Sequence, residues 1–200
     1  MSTLIIGNAI LFICALLTAG RSYRVGSEQY TSGFTISLSA TFLAASAAAS
    51  MLLTGSQDQD HQTLLRILNN LAYYAAVPLI ASAMVADAIG QNWSKPAWGR
   101  WLLVLLALFE VTRRGEAGLE YSQIMSVLVA ASMLFAAVKL QSLMARLGSL
   151  VAAISIAAAA LLFSPISLMP EYQSALLYPA ALGLMVFASS LVLPAHKADA

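Results

Sequence analysis

Charge is what this chain is short of. Of 200 residues only ten are Lys or Arg and nine are Asp or Glu, 10% of the chain, where a soluble domain carries about a quarter. So few charges cannot dress a water-facing surface when 60% of the side chains are apolar and the mean hydropathy is +0.81. The net charge of +1, with no loop holding more than two or three basic residues, excludes a nucleic-acid partner, since phosphate binding needs clustered Lys and Arg. Cysteine is equally scarce: Cys14 stands alone in the first apolar run and can form no intrachain disulfide. The two histidines, His61 and His196, lie outside the apolar runs, so no intramembrane His/Asp cluster exists to hold a catalytic metal. No Ser or Cys has a plausible His base, and Gly-x-Ser-x-Gly, Walker and dinucleotide signatures are missing. These absences argue against an enzyme.

What the chain does have is long apolar runs. Crossing the hydrocarbon core takes about 17 to 25 residues, and seven runs qualify: 3–20, 33–54, 65–89, 97–113, 121–140, 147–164 and 174–193. Short linkers punctuated by Gly and Pro separate them. The expectation is an all-α, polytopic seven-transmembrane-helix bundle with antiparallel neighbours, a single membrane domain over residues 1–200. The positive charges of the first run, Arg21 and Arg24, follow its apolar core, the reverse of a signal peptide, so a spanning helix is expected there.

Basic residues set the orientation. The odd-numbered loops and the tail carry Arg21, Arg24, Lys95, Arg100, Lys139, Arg146 and Lys197; the opposite side carries Arg66, Arg113 and Arg114. The N-terminus is therefore expected outside and the C-terminus inside, in a multi-pass integral membrane protein of the plasma membrane, or of the inner membrane if bacterial. Trp93, Trp98 and Trp101 fit an aromatic belt at the inner interface. Small residues at 44–50 and 157–160 suit close helix packing, where lipid supplies no hydrophobic drive.

Polar groups inside a bilayer are costly, so their positions are the best pointer to function. The third run offers Arg66, Asn69, Asn70, Tyr73, Tyr74 and Asp87, which at 100° per residue fall within an arc of roughly 140°. All but Asp87 lie in its outer half. The fourth run ends on that side with Glu110, Arg113 and Arg114, followed by Glu116, Glu120 and Tyr121. The seventh begins there with Glu171, Tyr172 and Tyr178, and the first brings Asn8. The candidate ligand-binding cluster is Arg66, Asn69, Asn70, Tyr73, Tyr74, Glu110, Arg113, Arg114 and Tyr178. Plainer readings stand beside it. Glu110, with arginines at i+3 and i+4, also reads as an interfacial ion pair; Arg66 and the asparagines read as snorkelling or capping groups. Asp87 reads as a partly solvated carboxylate, and the Asp58 to His61 loop as a solvated segment.

Three short motifs follow one another in order: Val77-Pro78-Leu79 in the third helix, Gly115-Glu116-Ala117-Gly118 closing the fourth, and Phe163-Ser164-Pro165 late in the sixth. With seven helices and an outside N-terminus, this order resembles the microbial rhodopsins, in particular the proteorhodopsin branch, over most of the chain from Arg66 on. The departures are chemical. A retinal Schiff base needs a lysine inside the seventh helix, and no lysine occurs between Lys139 and Lys197. Carried over onto the third helix, the family's counter-ion carboxylate falls on Ala72, its Trp on Tyr73, its Thr on Ala76 and its Arg on Asn69. The stretch from Ser174 to Leu193 holds no carboxylate. The resemblance thus implies a rhodopsin-like scaffold without a covalent retinal, with its cofactor unknown, and a homo-oligomer or membrane-protein partner.

The functional expectation is a non-enzymatic protein that binds an apolar small molecule or a membrane partner in a sensory or accessory role. The alternative is a transporter or channel for a small solute, proton or ion, with Glu110, Arg66 and Asp87 as charge-carrying stations.

Overall fold

The computed structural model describes residues 2–27, 29–114, 118–164 and 169–193, without the side chains of 113, 114, 118 and 119. Among them are seven helical rods and no strand: α1 (Ser2–Val25), α2 (Thr31–Leu53), α3 (Gln59–Ala88), α4 (Lys95–Arg114), α5 (Gly118–Lys139), α6 (Leu143–Phe163) and α7 (Leu177–Ser189). Each rod coincides with one of the apolar runs to within a few residues. Five of them, α1, α2, α3, α5 and α6, are long and apolar enough to cross a membrane.

The other two fall short for different reasons. With Lys95, Arg100, Glu110, Arg113 and Arg114, every 18-residue stretch of α4 carries three or more charges. The ordered part of α7 has 13 residues, about 20 Å at 1.5 Å per residue, less than the hydrocarbon thickness of about 30 Å. The run expected over 174–193 begins instead with an irregular Ser174–Leu176 and ends in turns after Ser189.

Neighbouring contacts run α1–α2–α3–α5–α6–α7 and back to α1, a closed ring, with α4 laid outside it against α3 and α5. Small residues set the close approaches. A Cβ on Gly33 would stand 2.8 Å from the backbone of Gly26, and one on Gly7 would stand 2.6 Å from the Leu176 carbonyl oxygen. Ala40, Ala44 and Ala47 of α2, and Ala152 and Ala153 of α6, are buried in the same way. Outward, Ile13 and Leu17 of α1, Val127 and Val138 of α5, and Ile154 of α6 are each more than half exposed. Apolar faces of that extent are untenable in water and natural in lipid. A multi-pass membrane protein accounts for them.

Two rods are not regular throughout. Residues Ala72–Ala76 of α3 form a π turn in which the Val77 amide donates to the Ala72 carbonyl, five residues back. Pro78 follows at once; it has no N–H for the Tyr74 carbonyl and its ring crowds that oxygen. Widening the turn by one residue relieves both. The second π turn, Ala159–Phe163, ends α6, and Ser164 is extended at ψ 156°, the conformation favoured before a proline such as Pro165. Pro165 itself lies outside the described residues.

Candidate ligand-binding site

Different aromatic residues mark the two ends of the bundle, tyrosines at one and tryptophans at the other. At the tyrosine end, where α3 and α5 begin their inner course and α6 finishes, a cavity of about 240 Å³ opens between α3, α5, α6 and α7. Both π turns face it: Tyr73 and Tyr74 from the first, Ala160 and Leu161 from the second. Val77, Pro78, Val129 and Ile156 form its apolar floor, and Ser122, Gln123, Ser126 and Ser164 its polar edge. A volume near 200 Å³ holds a single ring system, as apolar cavities of about 150 Å³ hold benzene.

The tyrosines are held by specific partners. Tyr74 stacks on Phe109 of α4, with ring centroids 3.9 Å apart and planes 12° from parallel, and its hydroxyl shares a 2.9 Å hydrogen bond with Ser122 of α5. Tyr73 lies 5.6 Å, centroid to centroid, from Tyr178 of α7. Tyr121 packs 6.1 Å from Tyr74, and its buried hydroxyl has no hydrogen-bond partner among the described residues. A buried hydroxyl without a partner costs about 1–3 kcal/mol, so a polar atom brought beside this cluster would be stabilised.

Of the cluster expected from the sequence, the cavity gathers Tyr73, Tyr74 and Tyr178. Asn69 instead joins α3 to α2, accepting from Ser46 at 2.6 Å and from Ser50 at 3.5 Å. Asn70 is half-buried, Arg66 is exposed, and Glu110 is half-buried on α4; none of the three lines the cavity. Glu120, Glu171 and Tyr172 are exposed, and Asn8 is buried with its amide on the Leu4 carbonyl at 3.0 Å. The Arg113 and Arg114 side chains, Glu116 and most of the Gly115 to Gly118 corner lie outside the described residues. The residues that sequence reasoning passed over are Ser122, Gln123, Ser126 and Phe109. Ser122 and Ser126 are one helical turn apart, a spacing that could have marked an inward polar stripe.

The single arc proposed for α3 fails at the π turn. The extra residue rotates everything after Ala76 by about 100° relative to what precedes it, so Asp87 does not continue the line of Arg66 to Tyr74. It lies at the opposite, tryptophan end, half-buried, and accepts a hydrogen bond from the Tyr30 hydroxyl. Burial, and then the neighbouring Asp87 carboxylate, push the Tyr30 phenol above its usual range. Around this pair the loops are tied together. Thr31 receives a bond from the Trp98 indole at 3.1 Å, donates its own amide to Asn92 at 3.1 Å, and donates its hydroxyl to the Trp93 carbonyl. The Trp101 indole donates to Ser82 at 3.0 Å. Trp98, read from the sequence as part of an interfacial belt, is 5% exposed and acts as an internal strut.

Against protein-family models, curated proteins and solved structures, the chain matches nothing. The site must therefore be read from its own chemistry. Among the described residues no three His, Cys, Asp or Glu side chains gather to hold a metal. What the tyrosine-end cavity offers is an apolar floor, three phenols and a rim of serines and one amide, which suits a molecule that is mostly hydrocarbon with one hydroxyl or carbonyl.

Proposed function

We propose that this is a seven-span membrane protein, N-terminus outside and C-terminus inside, that holds an apolar small molecule with a single polar tip in the tyrosine-end cavity and serves a sensory or accessory role without catalysis. The observation that carries this reading is the convergence of both π turns on one cavity. A π turn costs helix regularity and recurs at functional sites; Pro78 accounts for the first locally, and what supports the reading is that both turns, on facing rods, open on the same space. Ring or chain carbons would lie on Val77, Val129 and Ile156, and the polar tip would meet Ser122 and Tyr74, near the unpartnered Tyr121 hydroxyl. The positive-inside count supports the orientation. The order of the Val77-Pro78-Leu79 triplet and its companions supports a rhodopsin-like scaffold, here with no lysine for a covalent chromophore. A homo-oligomer or membrane-protein partner remains part of this proposal through that resemblance.

Conduction through Glu110, Arg66 and Asp87 has less support. Between the tyrosine-end cavity and Asp87 lie Ile80, Met84, Met133, Leu182, Met185 and Val186, each fully buried, and neither Glu110 nor Arg66 lines the cavity above them.

The test is mass spectrometry and an absorption spectrum of protein extracted gently from its native membrane, beside an Ala160→Phe variant whose ring would fill the cavity. A stoichiometric isoprenoid, quinone or pigment in the parent, absent from the folded variant, is the expected result. The same molecule retained by Ala160→Phe, or no molecule in either, would remove this reading.

A further inference from the structure

The tryptophan end has a cavity of its own, of about 780 Å³, between the ends of α1, α3 and α7 and the α5–α6 connection. Among the described residues its charged lining consists of Arg21 from α1 and Asp87 from α3. They are not paired with each other: no Arg21–Asp87 contact falls within ion-pair distance. A cation and an anion held on different rods across one space leave one charge uncompensated by any singly charged ligand. A dipolar ligand satisfies both.

We infer that this cavity binds a zwitterionic headgroup, its ammonium on Asp87 and its phosphate or carboxylate on Arg21. Arg offers the forked donors that match such oxygens two at a time. Asp87 already accepts from Tyr30, but an ionised carboxylate has about four acceptor sites and can take an ammonium donor as well. The remaining wall is apolar, with Leu140, Met144 and Leu191. Met144 is 63% exposed on the outer face of α6, where acyl chains of the surrounding leaflet would run. Headgroup above and hydrocarbon beside is the layout of a lipid site between helices. A soluble zwitterion shares the headgroup chemistry and lacks the tail. This site does not depend on the tyrosine-end reading, because the two cavities share no lining residue.

The experiment reconstitutes the full chain in nanodiscs of equal phosphatidylethanolamine and phosphatidylglycerol and reads retained lipid by native mass spectrometry. The parent is expected to hold phosphatidylethanolamine about tenfold more than phosphatidylglycerol, the discrimination one charged contact of about 1.4 kcal/mol gives. Asp87→Asn should abolish that preference; Arg21→Gln should lower retention of both lipids. Arg21 is exposed, so its variant keeps the test open if Asp87→Asn does not fold. Free phosphoethanolamine added as competitor separates the sources: displacement of the lipid indicates a soluble ligand, and no displacement a membrane lipid, either one consistent with the site. Equal retention of the two lipids by the parent, or unchanged retention in both folded variants, would overturn it.

Discussion

At the tryptophan end a set of polar side chains bonds together beside a cavity of about 780 Å³; at the tyrosine end phenols and serines line a smaller one of about 240 Å³. Thr31, Asn92, Trp93 and Trp98 tie the α1–α2 and α3–α4 connections together through direct bonds, while the buried hydroxyls of Ser22 and Ser32 at the same end have no partner among the described residues. Tyr73, Tyr74, Ser122 and Tyr178 line the cavity at the other end, and Tyr121, packed on Tyr74, keeps one buried hydroxyl unmatched. Groups of similar chemistry thus do different work. Where the network closes it specifies how the rods meet, and where it stays open it leaves donors and acceptors for something else.

Four measurements would sharpen or break that contrast. The largest effect is expected from Trp98→Ala, which removes a buried ring and the indole bond to the Thr31 hydroxyl; a loss of about 3–5 kcal/mol should appear as a large drop in the thermal midpoint in detergent. Gly33→Val comes next. Its branched side chain would press on the Gly26 backbone, and overpacking of this kind costs about 1–3 kcal/mol, read from the same melt. If either variant melts like the parent, the tryptophan end is not the structural lock.

The third effect depends on pH. The Tyr30 phenol is raised above its ordinary value of 10.0, so the folded state holds this proton more tightly than the unfolded chain does. Its contribution is full below pH 10.0 and is lost as the pH rises beyond it. The parent should therefore lose stability on the alkaline side, with a shallower loss in Tyr30→Phe; parallel alkaline profiles would contradict this. The smallest change is expected from Tyr74→Phe, which removes one hydroxyl at the tyrosine end while keeping the stack on Phe109. A membrane hydrogen bond averages about 0.6 kcal/mol, so the melt should barely move while retention of a cavity ligand weakens. A large loss of stability would mean that this end is a lock as well.

The placement of the rods was legible because spanning demands length and apolarity, and both are written plainly in runs such as 121–140. Chemistry was legible where residue type sufficed: Tyr73, Tyr74 and Tyr178 were named from the sequence and do meet. Arg66 and Glu110 were grouped with them because they stand at the same height along their helices, and height does not say which way a side chain faces. Asp87 was misaligned for a sharper reason. A constant 100° per residue holds only while the hydrogen-bond pattern does, and Pro78 changes the pattern at Ala72–Ala76. Trp98 looked like a lipid anchor because its partner, Thr31, is 67 residues away, beyond any local reading.

The π turn in α3 also sets the phase between the two halves of its rod. Closing these residues into ordinary helix at unchanged length would swing every side chain on one flank by about a quarter turn relative to the other. Either the tyrosines would leave their cavity or Asp87 would leave Tyr30. The wide turn thus keeps two distant clusters of side chains in phase.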